Sequence, residues 1–231
     1  LALMTFLVDH HMTLGTFARK NLDEPETIRA FARIVQDEER LDLLMLISAA
    51  DVRAVAGRSN WSSWRELLVW DLYGRTRRML AGEEEFLRAE EEERKGRAQQ
   101  VQTELAGEVS REDVEQHLAG MGPSYLRQCP AALIARHIRA VHRFFADRVG
   151  GYEALVPLVE WRDHPAEGHT EVIVVTWNRE RLFSKIAGSF AVAECNILSA
   201  DVFTRSDDVV VDTFRVCNER LEPVSHRVDR E

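Results

Sequence analysis

Val172-Ile-Val-Val175 is an uninterrupted β-branched run, the mark of a buried strand, and it decides the fold. Downstream of it Leu182, Ile186, Ser189, Phe190 and Ala193 share one helical face. Residues 197–204 then read as a strand, Ser206-Asp-Asp208 as a turn, and residues 209–216 as the hairpin partner. This β-α-β-β order is the first two thirds of a ferredoxin-like βαββαβ unit. The last fifteen residues are polar and hold neither the second helix nor the fourth strand. A complete unit orders its strands 4-1-3-2, so the strand at 171–177 is predicted to become an open edge. Unpaired amides beside apolar side chains favour pairing with another chain, which predicts self-association through this sheet.

Upstream the period is that of helices. Pro25 opens one at a first-turn position, with Asp23 as the predicted cap. Residues 41–56 are apolar almost all round, which predicts the buried central helix of a bundle. Residues 61–102 read as one long helix with a break near Gly82. Its first half carries Trp61, Trp64, Leu68 and Leu72 at spacings of three to four, and its second half is a glutamate-rich run predicted to be a solvated face. Ser110-Arg-Glu-Asp113 is a capping-box-like start. A further helix is predicted over 130–149, stopping at Gly150-Gly151. The fold class is therefore α+β: an all-helical N-terminal bundle followed by a partial βαββ unit.

Composition narrows the function. Thirty Lys plus Arg against 39 Asp plus Glu leave a net charge of −9 in 231 residues, a surface that repels phosphate backbones and anionic lipid. Nucleic acid and membrane are not expected partners. No apolar run is long enough to span a bilayer. Cys129, Cys195 and Cys217 are odd in number and have no metal-like spacing, which suits reduced packing thiols in a cytoplasm. Leu1-Ala-Leu-Met-Thr-Phe-Leu-Val8 is already an apolar helical stretch with no cap before it, so the chain is expected to continue upstream.

Two polar residues fall on apolar stripes. Met4, Leu7, Val8, His11 and Leu14 form one stripe, and Leu44, Ile47, Asp51 and Val55 another. A buried carboxylate must be paired, hydrogen-bonded or metal-bound. Periodicity leaves two readings: a satisfied core Asp and His, or a pair of metal ligands. His10 is the alternative donor to His11.

The order of short motifs is more specific than any one of them. Leu7-Val-Asp-His-His11-Met, Asp23-Glu-Pro-Glu-Thr-Ile-Arg-Ala-Phe-Ala32, Ser48-Ala-Ala-Asp-Val52, Trp61-Ser-Ser-Trp64 and Leu72-Tyr73 run in one register. Together they resemble the late part of the His-Asp (HD) phosphohydrolase domain of bifunctional PII uridylyltransferase/uridylyl-removing enzymes. Gly122-Pro-Ser-Tyr-Leu126, Pro130 and Ile134-Ala-Arg-His137 are similar to that family's helical connector, and residues 176–216, notably Asp212-Thr-Phe214, to its first amino-acid-sensing ACT module. The resemblance implies three segments: the end of the HD domain at 1–80, a connector at 81–165, and a truncated ACT domain at 166–231.

It also implies an activity. In that family a nucleotidyltransferase domain moves UMP from UTP onto a tyrosine of the PII signalling protein. The HD domain removes it with a divalent metal, Mg or Mn, and glutamine sets the balance through the ACT modules. By position His11 matches a late metal-ligand histidine and Asp51 the final metal-ligand aspartate, a donor set that suits a water-activating divalent ion. The HD pair, the earlier ligands and the transferase domain have no counterpart among residues 1–231. No complete catalytic set is therefore expected here, and the chain is predicted to be inactive alone.

In the ACT-like segment the loop Trp177-Asn178-Arg179-Glu180-Arg181-Leu182 follows the first strand. ACT domains that bind amino acids place a glycine just before the helix, and Arg181 stands there in this chain. Asn178, Arg179 and the helix start at Leu182 are the candidate ligand contacts. Asn178 also reads simply as a helix cap. His137 and His142 share no helix face, His164 and His169 are read as lying in a polar loop, and none of the four is assigned a role. Two alternatives stand beside the resemblance. A guanosine-polyphosphate hydrolase also joins HD and ACT domains but separates them by more than this connector, and a non-catalytic amino-acid sensor would need only the second half.

Overall fold

The computed structural model describes residues 2–55, 63–146 and 156–224. The chain divides into two compact units, Leu1–Glu93 and Arg94–Glu231, each with its own core. The α+β class holds.

The first unit is helical: α1 (Ala2–His10), α2 (Thr13–Phe17), α3 (Pro25–Val35), α4 (Glu38–Val55), α5 (Ser63–Ala81) and the start of α6 (Glu83–Glu104). Its core gathers Leu14, Phe17, Ile28, Phe31, Leu41, Leu44, Leu72 and Phe86. Pro25 opens α3 as predicted, but the turn before it is organised by Asn21 rather than by an Asp23 cap. The Asn21 carboxamide accepts from the Asp23 amide (3.1 Å) and donates to Glu24 (3.1 Å). The predicted break at Gly82 is present: α5 ends at Ala81 and α6 starts at Glu83. The seven glutamates between residues 83 and 93 are mostly exposed, with Glu90 turned inward onto Arg75 (2.8 Å) and Arg78 (2.9 Å).

The expectation that α4 is buried all round is overturned. It buries Leu41, Leu44 and Met45, whereas Leu46, Ala50 and Asp51 are exposed. Within this unit α1, α2, α3 and α5 all touch α4, yet they cover one side of it. Composition had suggested a continuous apolar surface, but Asp42 and Asp51 interrupt it, and Ala49 and Ala50 are small enough to cost little to expose. The stripe on α1 fails in the same way: Leu7 and Leu14 are buried, while Met4, Val8 and His11 face out. The predicted start at Trp61, the side chain of Trp64, and the predicted helix end at 149–151 lie outside the described residues.

The second unit contains α7 (Arg111–Gly120), α8 (Pro123–Gln128), α9 (Ala131–Ala146), β1 (Leu158–His164), β2 (His169–Trp177), α10 (Leu182–Val192), β3 (Asn196–Thr204) and β4 (Val209–Cys217). Ser110 caps α7 by accepting from the Asp113 amide (3.1 Å). The four strands form an antiparallel sheet in the order β1-β2-β4-β3. One face packs Ile173, Val175, Val209 and Val211 against Ile138, Val141 and Phe144 of α9. The other packs Val172, Val174, Phe214 and Val216 against Phe190 of α10 and against Val224 of the final segment. Strand β2 is thus covered on both faces, which is why its sequence is continuously β-branched rather than alternating.

The open edge expected at β2 is not there. Strand β1, residues not anticipated as a strand, pairs with β2 from Leu158↔Val175 to His164↔His169. It fills the place that the fourth strand holds in the 4-1-3-2 order, but it comes from before β2 instead of from the end of the chain. The basis for self-association through Val172-Ile-Val-Val175 is therefore removed. Glu160, Arg162 and Asp163 on β1 are charges of the kind that blunt a sheet edge. Those charges also hid the strand from a period-two reading.

Candidate functional site

His11 sits in the turn between α1 and α2, exposed, with its Nδ1–H donating to the Val8 carbonyl (2.7 Å). Its own carbonyl accepts from the Ser48 hydroxyl on α4 (3.1 Å), and Asp51 follows Ser48 by three residues on the same helix. The structure thus brings the His11 backbone beside the turn of α4 that precedes Asp51. Both side chains face solvent rather than the core. His10 is half-buried, its ring 4.8 Å from that of Phe6 and its Nδ1 3.3 Å from the Thr13 hydroxyl. The buried reading of His11 and Asp51 is set aside. One imidazole Nε2 and one carboxylate are donors that suit a divalent ion, but they are two donors only. Neither belongs to a set of three or more ligating side chains among the described residues.

The loop after β2 is built by its backbone. The Asn178 amide donates to the Asp208 carbonyl (2.8 Å), joining this loop to the β3–β4 turn. Arg181 occupies the N-cap position of α10 in a left-handed conformation (φ 59°, ψ 26°) and makes no side-chain cap bond. The glycine conformation expected of such a loop is therefore kept without the glycine. Asn178 is not the cap. It and Arg179 are exposed, whereas Leu182 is buried and its amide donates to the Arg179 carbonyl (3.1 Å).

Residues given no role by the sequence form a buried polar chain in the second unit. The Arg205 guanidinium donates to His117 Nδ1 (3.0 Å), and His117 Nε2 lies 3.2 Å from the Tyr125 hydroxyl. That hydroxyl is 3.0 Å from His137 Nδ1, and His137 Nε2 is 2.7 Å from the Thr213 hydroxyl. Arginine can only donate, so each bond has one direction: Arg205 to His117, to Tyr125, to His137, to Thr213. Both imidazoles must then be neutral. Burial pushes His117 down to about 3, helped by the charge of Arg205, and pushes His137 down to about 3, helped by Arg136. The chain ties α7, α8 and α9 to β4. The signal for it was available: Tyr125 lies in Gly122-Pro-Ser-Tyr-Leu126, and His137 shares its helix face with Ile134 and Val141, both buried.

On the opposite face of the sheet, Asp212 is buried with valine as both cross-strand neighbours, Val174 and Val202. Burial raises its carboxyl to about 7, opposed by a bond accepted from the Phe203 amide (3.3 Å). The three cysteines are buried thiols rather than disulfides, and burial pushes the Cys129 thiol up to about 12, which suits packing and not reactivity.

These features define the class of protein: a helical unit followed by a ferredoxin-type βαββ sheet, extended at its edge by an added strand. Sequence similarity is more particular. The chain matches a segment of bifunctional uridylyltransferase/uridylyl-removing enzymes. It is 32% identical to the enzyme so named from Azospirillum brasilense, over 92% of this chain and 22% of that protein. The corresponding values are 34%, 92% and 22% for Gluconobacter oxydans, and 31%, 96% and 24% for Pseudomonas fluorescens. The chain thus spans less than a quarter of the length of these curated relatives. No family model matches it, and no solved structure does. Among the described residues no helix is long and apolar enough to cross a membrane.

Proposed function

We propose that this chain is part of a bifunctional nitrogen-regulatory enzyme that attaches UMP from UTP to the PII protein and hydrolytically removes it. The observation that carries the reading is collinear similarity, at 30–34% identity across 92% of the chain, to proteins named for both activities. On this reading the first unit contributes His11 and Asp51, with His10 as the alternative donor, to a divalent metal site of the HD type. Mg or Mn there activates water and neutralises the phosphoryl oxygens. The seating of His11 against the turn before Asp51 supports the pairing, and solvent exposure of both leaves them open to further ligands and substrate.

The second unit is read as the ACT module that senses glutamine in the cytoplasm. Asn178 and Arg179 offer amide and guanidinium donors to an amino-acid carboxylate, and Leu182 supplies the apolar floor of that loop. The left-handed Arg181 supports this, because it preserves the backbone path that an ACT loop requires. With two metal donors and no transferase elements assigned to it, the isolated chain carries neither activity. The test uses the whole protein that contains this chain, incubated with PII and labelled UTP, and then with uridylylated PII and Mn. Transfer and release of UMP are expected. Hydrolysis of a guanosine polyphosphate in place of both would overturn the assignment.

A further inference from the structure

The closing pair of the β1–β2 hairpin is His164↔His169. Directly opposed residues of an antiparallel pair project to the same face, and here the two imidazoles stack with centroids 4.9 Å apart and planes 10° apart. The turn between them is the 3₁₀ segment Pro165–Glu167 followed by Gly168, left-handed at φ 71°. A Cβ at Gly168 would also come within 3.3 Å of the Leu221 carbonyl, so this tight turn needs glycine on both counts. Its effect is to place Glu167 over the histidine pair. One carboxylate oxygen lies 3.8 Å from His164 Nδ1 and the other 3.8 Å from His169 Nδ1.

These separations are too long for hydrogen bonds. They are close to the spacing, roughly 3.3–3.5 Å, of neighbouring donors around a tetrahedral ion with bonds of about 2.0–2.2 Å. One ligating atom from each of the three residues lies within 4.8 Å of the others. A second observation points the same way: His164 Nε2 is buried and has no hydrogen-bond partner, while Glu171 Oε1 stands 4.0 Å from it. Glu171 is buried and held by Arg136. An imidazole that ligates through one nitrogen and faces a fixed carboxylate with the other is the usual outer arrangement of a protein metal site.

We infer that His164, Glu167 and His169 form a site for a divalent transition ion of the zinc class, with Glu171 orienting His164. Two imidazoles and one carboxylate favour zinc or cobalt over magnesium, which prefers oxygen ligands throughout. His169 is buried and Glu167 exposed, so the remaining coordination faces solvent and is completed by water. An ion there pins the hairpin whose first strand covers the β2 edge. The site is independent of His11 and Asp51, which lie in the other unit.

The experiment is a titration of the 231-residue chain with Co²⁺, followed by its ligand-field absorption, and then displacement by Zn²⁺. One equivalent is expected to bind, with a rise in the thermal midpoint, and Mg²⁺ should not compete. Glu167→Gln changes an exposed side chain and His164→Asn a partly exposed one, so both variants keep the fold, verified by circular dichroism. Each should weaken binding at least roughly tenfold, and Asp51→Ala should leave it unchanged. Absence of saturable binding, binding indifferent to Glu167→Gln and His164→Asn, or binding lost in Asp51→Ala would each overturn the assignment.

Discussion

Replacing Asp212 with asparagine should stabilise the second unit in alkali and lose most of that advantage in acid. The carboxyl is buried between Val174 and Val202 and titrates at about 7 in the fold, against an ordinary value of 3.8. Its folded value is raised, so the native state holds a proton between those limits that the unfolded chain has released. Above pH 7 the fold must carry a buried charge that accepts a hydrogen bond from the Phe203 amide. At about 1.4 kcal/mol per pH unit, the gap sets a ceiling of about 4 kcal/mol on that cost. Asparagine keeps an oxygen acceptor for Phe203 and carries no charge. We expect Asp212→Asn to gain about 2–4 kcal/mol at pH 8.5 and under about 2 kcal/mol at pH 5. The assay is urea unfolding at both pH values, followed by Trp161 and Trp177 in a background with Trp61, Trp64 and Trp70 changed to phenylalanine. An advantage equal at both pH values, or a loss at pH 8.5, would refute the reasoning.

Four further outcomes follow from the same structure. His137→Leu strands the Tyr125 and Thr213 hydroxyls in the core and should cost the second unit about 2–4 kcal/mol in the same unfolding assay. His117 and His137 are held neutral down to about 3, so between the unfolded imidazole value of 6.5 and pH 3 the fold loses about 2.7 kcal/mol per pH unit to them. Protonation of Asp212 returns about half of that between 7 and 3.8, so urea midpoints measured from pH 6.5 to 4.5 should fall about twice as steeply in Asp212→Asn. Proline at both Trp161 and Arg162 must remove an amide that bonds to β2, and light scattering should then show self-association that the unaltered chain lacks. The isolated chain should neither uridylylate PII nor remove UMP from it, measured with labelled nucleotide.

The sheet was legible because burial on both faces leaves a chemical trace. Val172-Ile-Val-Val175 reads as a buried strand, and Ser206-Asp-Asp208 marks the hairpin that follows. Strand β1 was not legible, since an edge strand is half solvated and Leu158-Val-Glu-Trp-Arg-Asp-His164 mixes charge with apolar residues at no fixed period. With β1 unseen, His164 and His169 looked like isolated polar residues. Their meeting depends on cross-strand register, which no linear spacing records. The apolar look of α4 misled for a different reason: alanines at 49 and 50 satisfy a hydrophobic count without requiring burial. His137 was the converse case. Its face is shared with Ile134 and Val141, which forced it into the core, but its partners, Tyr125 on α8 and Thr213 on β4, lie 12 and 76 residues away in sequence. The pairing of His11 with Asp51 came from the order of motifs, since periodicity gave them a burial that neither has.

The central claim is that this chain carries metal-ligating residues of a uridylyl-removing enzyme, and release of UMP from uridylylated PII tests it most directly. In the whole protein with Mn, Asp51→Ala is predicted to slow that release by roughly 100-fold or more while UTP-dependent transfer onto PII continues. An Asp51→Ala enzyme that removes UMP at the unaltered rate would contradict the account.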